Sequence, residues 1–254
     1  MNMVLSQEVR PNIAESVYSE AGMYEELHPD WHAADGPGKA LDIWIGLEDA
    51  VKQTIAQGNT AFSFCDIGCG TGAVSAAVAS LLKERYPQLQ VRAAGFDVAP
   101  YAISRGRHLF PDLDLRVQDL MTIDEHFDAV LFCDVFEHLE NPFAFLRRAA
   151  EVGRFMIVRQ PLQGDFGMFR GSAYENVISS LGHIQFFNVR SFTAIAKQAG
   201  WVQSRLELVA PWEMNTYKGG RPSLLKRTLA SANREVASFL SSGFYLNGSF
   251  VRDI

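Results

Sequence analysis

The run Phe64-Cys65-Asp66-Ile67-Gly68-Cys69-Gly70-Thr71-Gly72-Ala73-Val74-Ser75 limits the possible folds more than any other stretch of the chain. It joins a short apolar segment, Ala61 to Ile67, to a small-residue helix beginning near Gly72. That order reads as strand, loop and helix, because glycines at alternate positions admit positive φ and let the main chain approach a ligand closely. Two cofactor classes use such a turn. A dinucleotide asks for GxGxxG with its pyrophosphate on the helix N-terminus, and Gly68, Gly70 and Ala73 meet that loosely. Asp66 favours the other class, since a carboxylate at a strand tip repels phosphate and attracts a cation. A tight turn with no ligand is the bland alternative.

Downstream, the pattern alternates. Strands are expected over Val91–Phe96, Leu113–Val117, Phe127–Cys133 and Arg154–Val158, with helices between them opened by Pro100 and by Asn141-Pro142. The stretch from Gln160 to Phe187 is rich in Gly and Phe without clear periodicity, which suggests a lid over residues 160–190. Ser191 is expected to cap a helix ending at Gly200, followed by a strand from Trp201 to Ala210, a helix opened by Pro222, and a last strand from Phe244 to Val251. Upstream, Gly38 to Gln57 has a helical apolar face, and the segment from Leu27 to Pro37, with His28, Trp31 and His32, reads as a loop that either caps a ligand or anchors the arm. Strands alternating with helices imply an α/β, Rossmann-like, doubly wound sheet of seven mostly parallel strands with an N-terminal helical cap. Residues 1–60 are assigned to the cap or arm and residues 61–254 to one compact ligand-binding unit. Asp66, Asp97, Asp119 and Asp134 all fall at the carboxyl ends of strands, where ligands of such sheets bind.

The string Asp66-Ile67-Gly68-Cys69-Gly70-Thr71-Gly72, followed by these acidic strand ends in order, resembles the class I S-adenosylmethionine-dependent methyltransferases from about residue 60 to residue 210. The resemblance implies that Asp97 accepts hydrogen bonds from both ribose hydroxyls, two donors facing two acceptor oxygens. It implies that Asp119 reaches the adenine amino group with Leu120 positioned to pack on or bond the base, and that the loop of Gly68, Cys69, Gly70 and Gly72 holds the methionyl portion, with Asp66. Val98, Cys133 and Asp134 complete the implied cofactor contacts. Phe136-Glu137-His138 and Gly182-His183-Ile184-Gln185-Phe186-Phe187 look like the small-molecule branch of the family. No Asn-Pro-Pro-Tyr or Asp-Pro-Pro-Tyr string ends the fourth strand, which argues against a nucleobase or glutamine acceptor.

Methyl transfer from a sulfonium needs alignment above all, and a base only for a hydroxyl or a protonated amine. His183 ranks first as that base, then His138 and Glu137; a histidine bonded to main chain is the structural alternative for each ring. The expected reaction is methylation of a small-molecule hydroxyl by S-adenosylmethionine, leaving S-adenosylhomocysteine. N- or C-methylation, an NAD(P)-dependent oxidoreductase and a non-catalytic cofactor-binding protein are the alternatives. A net charge of −6 disfavours nucleic acid, and the basic residues Lys218, Arg221, Lys226 and Arg227 read as a solvated helix face. No run approaches the roughly 18 apolar residues of a membrane span and no signal peptide is visible, so no membrane partner and a cytoplasmic location are expected. Cys65, Cys69 and Cys133 lack the spacing of a metal site, and no metal is expected.

Overall fold

The structure, a computed structural model, describes residues 31–169 and 171–253. Seven strands form one sheet: β1 (Ala61–Ile67), β2 (Gln90–Asp97), β3 (Asp114–Val117), β4 (Phe127–Cys133), β5 (Gly153–Pro161), β6 (Trp201–Val209) and β7 (Tyr245–Arg252). Their order is β3-β2-β1-β4-β5-β7-β6. The first five pair in parallel, and β7 enters antiparallel between β5 and β6. The helices of the described residues are α1 (Trp31–Ala56), α2 (Ala73–Arg85), α3 (Pro100–Leu109), α4 (Pro142–Val152), α5 (Ala173–Leu181), α6 (Val189–Gln198), α7 (Leu224–Ala232) and α8 (Arg234–Leu240).

Side chains alternate across the strands, so each face builds its own core. Phe62 and Phe64 of β1 pack with Leu131 of β4, Ile157 of β5, Ile43, Trp44 and Leu47 of α1, and Val78 and Leu82 of α2. Cys65, Ile67, Val130, Phe132 and Met156 point the other way, onto Leu146 and Ala149 of α4 and Phe192 and Ala196 of α6. Trp201 fixes the α4 side by donating its indole N–H to the Leu146 carbonyl at 2.8 Å.

Several boundaries differ from the sequence expectation, each for a local reason. Residues 31–37 are helical rather than looped, and Pro37 lies inside α1; His28 and residues up to 30 fall outside the described residues. Proline costs one main-chain hydrogen bond there, but α1 is pressed onto the sheet. A Cβ on Gly36 would stand 2.7 Å from the Ala73 main chain. Asn188, not Ser191, caps α6: its side chain accepts from Ser191 N at 2.9 Å, and the Ser191 hydroxyl accepts from Asn188 N at 3.1 Å. Residues Leu225 to Phe239 form two helices rather than one, because Asn233 ends α7 and caps α8. The segment expected to lack periodicity contains α5, which buries none of its residues.

Candidate active site

The glycine turn sits between the carboxyl ends of β1 and β2. Gly68, Gly70 and Gly72 have φ of 67°, 55° and 79°, the left-handed region that other residues rarely occupy. Gly68 N and Cys69 N donate to the Phe96 carbonyl, and Gly70 N donates to Asp97 Oδ2 at 2.7 Å. Asp97 Oδ1 accepts from Ala99 N at 2.8 Å. Asp97 is therefore a staple as well as a strand-end carboxylate. Each oxygen has a second lone pair, so both can still accept a ligand hydroxyl. Burial raises its pKa, against the opposing pull of the Ala99 and Gly70 amides.

Asp66 is 1% exposed and accepts from the Ser75 hydroxyl at 2.7 Å. Burial pushes its carboxyl up to about 7. A cation beside it would favour the charged form, so this buried acid fits a ligand carrying an ammonium and a sulfonium. Asp119 caps the short turn after β3, accepting from Met121 N at 2.8 Å. Leu120 is buried among the core residues, so of the two contacts expected of it, packing on the base or bonding it, the second would come from its main chain. Val98 is 58% exposed beside Asp97 and offers the apolar surface instead. Cys69 packs with Ile103 and Leu115, and Cys133 lies in the core beneath α1 and α2.

At the end of β4, Asp134 has φ 60°, the single non-glycine residue with positive φ among the described residues. Such a backbone costs on the order of 1–3 kcal/mol. Its carboxylate is held between Lys39 Nζ at 2.8 Å and the Arg159 guanidinium, which contacts both oxygens. Burial alone would raise its pKa, but Arg159 and Lys39 overcome that and hold it at about 2. Arg159 is 2% exposed and also donates to Asp42 at 3.2 Å and Thr216 at 3.1 Å, with its guanidinium 4.1 Å over the Tyr245 ring. Sequence reading missed this network, whose partners lie far apart in the chain. Its one signal was an arginine inside the apolar run Phe155 to Pro161.

The turn after β4 (Phe136–His138) meets the segment entering α6. Ile184 N and Gln185 N both donate to the Glu137 carbonyl, at 2.8 and 3.0 Å. The His138 and His183 rings stand edge to face, 4.7 Å apart. His138 Nδ1 lies 3.2 Å from the Gly182 carbonyl, and His183 Nδ1 lies 2.7 Å from Gln163 Oε1. Both oxygens can only accept, so each Nδ1 carries the proton and each Nε2 a lone pair. Glu137 is 1% exposed, and neither carboxyl oxygen completes a hydrogen bond among the described residues. Gln160 acts on it, yet directs its amide to the Pro161 carbonyl. Burial, then the Asp134 charge, raises the Glu137 pKa far above the carboxylate range. Burial lowers both imidazoles, and His138 adds to the shift of His183, which falls to about 4. One donor atom from each of Glu137, His138 and His183 lies within 4.8 Å of the others, a set suited to proton transfer or to a small divalent cation. Sequence reading ranked these three, and the structure brings them together.

A family model described as a methyltransferase domain matches residues 45–203. A ubiquinone biosynthesis O-methyltransferase of Xanthomonas campestris pv. campestris is 27% identical over 144 residues, 53% of this chain and 56% of that protein. The chain thus spans about half the length of the curated relatives it matches. Among solved structures, the plantazolicin methyltransferase BpumL in complex with S-adenosylhomocysteine superposes with a TM-score of 0.59 at 13% identity, covering 96% of this chain and 95% of that one. The magnesium protoporphyrin IX methyltransferase of Synechocystis PCC 6803, with S-adenosylmethionine bound, gives 0.56 at 14% identity, over 95% of this chain and 96% of that one. At these identities the likeness shows the fold.

Proposed function

The chain belongs to the family of methyltransferase domains, and from that premise we propose that it transfers a methyl group from S-adenosylmethionine to a hydroxyl of a small molecule. The observation that carries the reading is the meeting of two sets of groups at one end of the sheet. Acidic strand ends flank a glycine turn, and a Glu-His-His cluster stands beside the neighbouring strand end. The O-methyltransferase relative supports a hydroxyl acceptor.

In this reading Asp97 accepts the two ribose hydroxyls, Asp119 meets the adenine amino group, and Val98 lies against the base. Asp66 faces the cationic end of the cofactor, with Gly68, Cys69, Gly70 and Gly72 alongside and Cys133 and Asp134 closing the site from β4. The bound cofactor supplies an electrophilic methyl group on a sulfonium. The protein contributes alignment and a proton acceptor. Neutral His183 takes the hydroxyl proton at Nε2, while Gln163 holds the Nδ1–H and so fixes the tautomer. His138 stands edge to face against the same ring, and Glu137, buried beside the two imidazoles, completes the cluster. Residues 160–190 are assigned to covering the acceptor.

Release of S-adenosylhomocysteine across a panel of phenols, sugars and amines tests the reading. Turnover on a phenol or sugar alcohol, with methyl oxygen ethers as product, is the expected result. Methylated amines as the sole products would move the acceptor to nitrogen, and NADH binding more tightly than S-adenosylhomocysteine in a titration would end the methyltransferase reading.

A further inference from the structure

No helix among the described residues is long and apolar enough to cross a membrane, yet one face of the molecule has the composition of a segment that lies on one. Residues 214–234 hold five Lys or Arg and no Asp or Glu, in a chain whose net charge is −6. Two of the five are already paired: Lys218 Nζ is 2.9 Å from Asp35, and Arg234 bonds Glu213. Arg221, Lys226 and Arg227 are exposed and have no acidic partner among the described residues. Between them stand Leu224 and Leu225, each 78% exposed. These leucines open α7, whose later residues Leu229 and Ala230 turn inward and pack on the core. Behind the basic residues is a cavity of about 510 Å³, with Arg221, Arg227 and Tyr217 in its lining.

We propose that this face docks on the surface of an anionic lipid bilayer. Leu224 and Leu225 enter the boundary between headgroups and acyl chains, and Arg221, Lys226 and Arg227 meet lipid phosphates. Two arguments favour a bilayer over a protein partner. Neighbouring positions on a helix diverge by about 100°, so Leu224 and Leu225 cannot both enter one groove in the manner of i, i+4 anchors, whereas a fluid apolar phase receives both. Unpaired cations around exposed apolar side chains on an otherwise acidic protein match a negatively charged lipid surface. Docking here also has a fixed relation to the active site. Asn215 and Thr216, just ahead of the basic run, bond Asp42 and Arg159 of the buried network.

Co-sedimentation of the full chain with phosphatidylcholine vesicles, with and without phosphatidylglycerol, tests the proposal. Three cations at about a factor of five each predict binding to anionic vesicles on the order of 10²-fold stronger than to neutral ones, weakening as salt rises. The variant L224E/L225E, altered at exposed positions and checked by its melting temperature, should lose vesicle binding, and R221E/R227E should lose the preference for phosphatidylglycerol. Equal binding to both vesicle types, or full binding by L224E/L225E, would overturn the proposal. So would an absence of vesicle binding together with a concentration-dependent dimer that L224E/L225E dissociates, which would make the face a contact between copies. Methyl release is measured without vesicles, so either result leaves the functional reading to its own test.

Discussion

Replacing Asp97 with alanine separates two roles that the structure gives to one side chain. As a ligand acceptor, the carboxylate would take both ribose hydroxyls, and a hydrogen bond to a charged group contributes about 1.5–3 kcal/mol net of exchange with water, a range applied to the pair because the two hydroxyls share one charge. The net loss expected is about 2–3 kcal/mol, or roughly 30–150-fold in the dissociation constant of S-adenosylhomocysteine. As a staple, the same group accepts Gly70 N at 2.7 Å and Ala99 N at 2.8 Å. Leaving two main-chain donors without partners at the rim of the core costs about 1–2 kcal/mol, enough to lower Tm by roughly 2–8 °C in a chain of this size. Titration calorimetry reads the first effect and differential scanning fluorimetry the second. Asp97→Asn, which keeps one acceptor oxygen, should fall between wild type and alanine in both. A lowered Tm with an unchanged dissociation constant would refute the assignment, leaving Asp97 a clasp on the glycine turn and nothing more.

The His183 pKa of about 4 gives the proton-transfer reading a definite pH profile. Neutral imidazole is the working form, so turnover should be flat through neutrality and fall only as pH drops towards 4, while His183→Gln should lose roughly 10²- to 10⁴-fold with cofactor affinity unchanged; equal rates and profiles in both proteins would shift attention to His138. Asp66 should make cofactor binding depend on pH. Its carboxyl is protonated below about 7, so affinity for the cationic cofactor should rise as pH climbs through that value, and the slope should vanish in Asp66→Asn, as calorimetry at several pH values would show. Removing Arg159, as in Arg159→Met, leaves Asp134 and Asp42 buried without their guanidinium and should cost about 3–5 kcal/mol. A Tm within 2 °C or so of wild type, by the scaling of about 2–4 °C per kcal/mol, would show that Lys39 alone neutralises the site.

Local chemistry explains which parts of this were legible beforehand. The bounds of β4 follow from an apolar run broken only by Asp128 near its start, and the strand-turn-helix around Gly68 from glycines whose positive φ the structure displays. Cap and break positions were harder to read, because Asn188 and Ser191 bond reciprocally and either could start α6 from sequence. Pro37 looked like a boundary until packing of α1 against both the sheet and α2 overrode it. Least legible was the set Lys39, Asp42, Asp134 and Arg159, drawn from one helix, one strand and the turn after another. Composition counts such charges, but only the folded chain reveals that they neutralise each other. Leu120 illustrates the same limit: its neighbour Asp119 sits at the expected strand end, while its own side chain answers to the core.

The antiparallel insertion of β7 between β5 and β6 also sets a schedule for synthesis. Strands β1 to β5 can pair as they leave the ribosome, since each neighbour comes earlier in the chain or soon after. β6 cannot, because its partner in the sheet is translated after it. At about 5–20 residues per second, the interval from Val209 to Arg252 leaves β6 and the free edge of β5 uncovered for roughly 2–9 s. Throughout that interval the nascent chain displays two unpaired strand edges to its neighbours on the same messenger. Arrival of the last strand closes both at once, so a ribosome stalled before Tyr245 releases a product that is adhesive as well as incomplete.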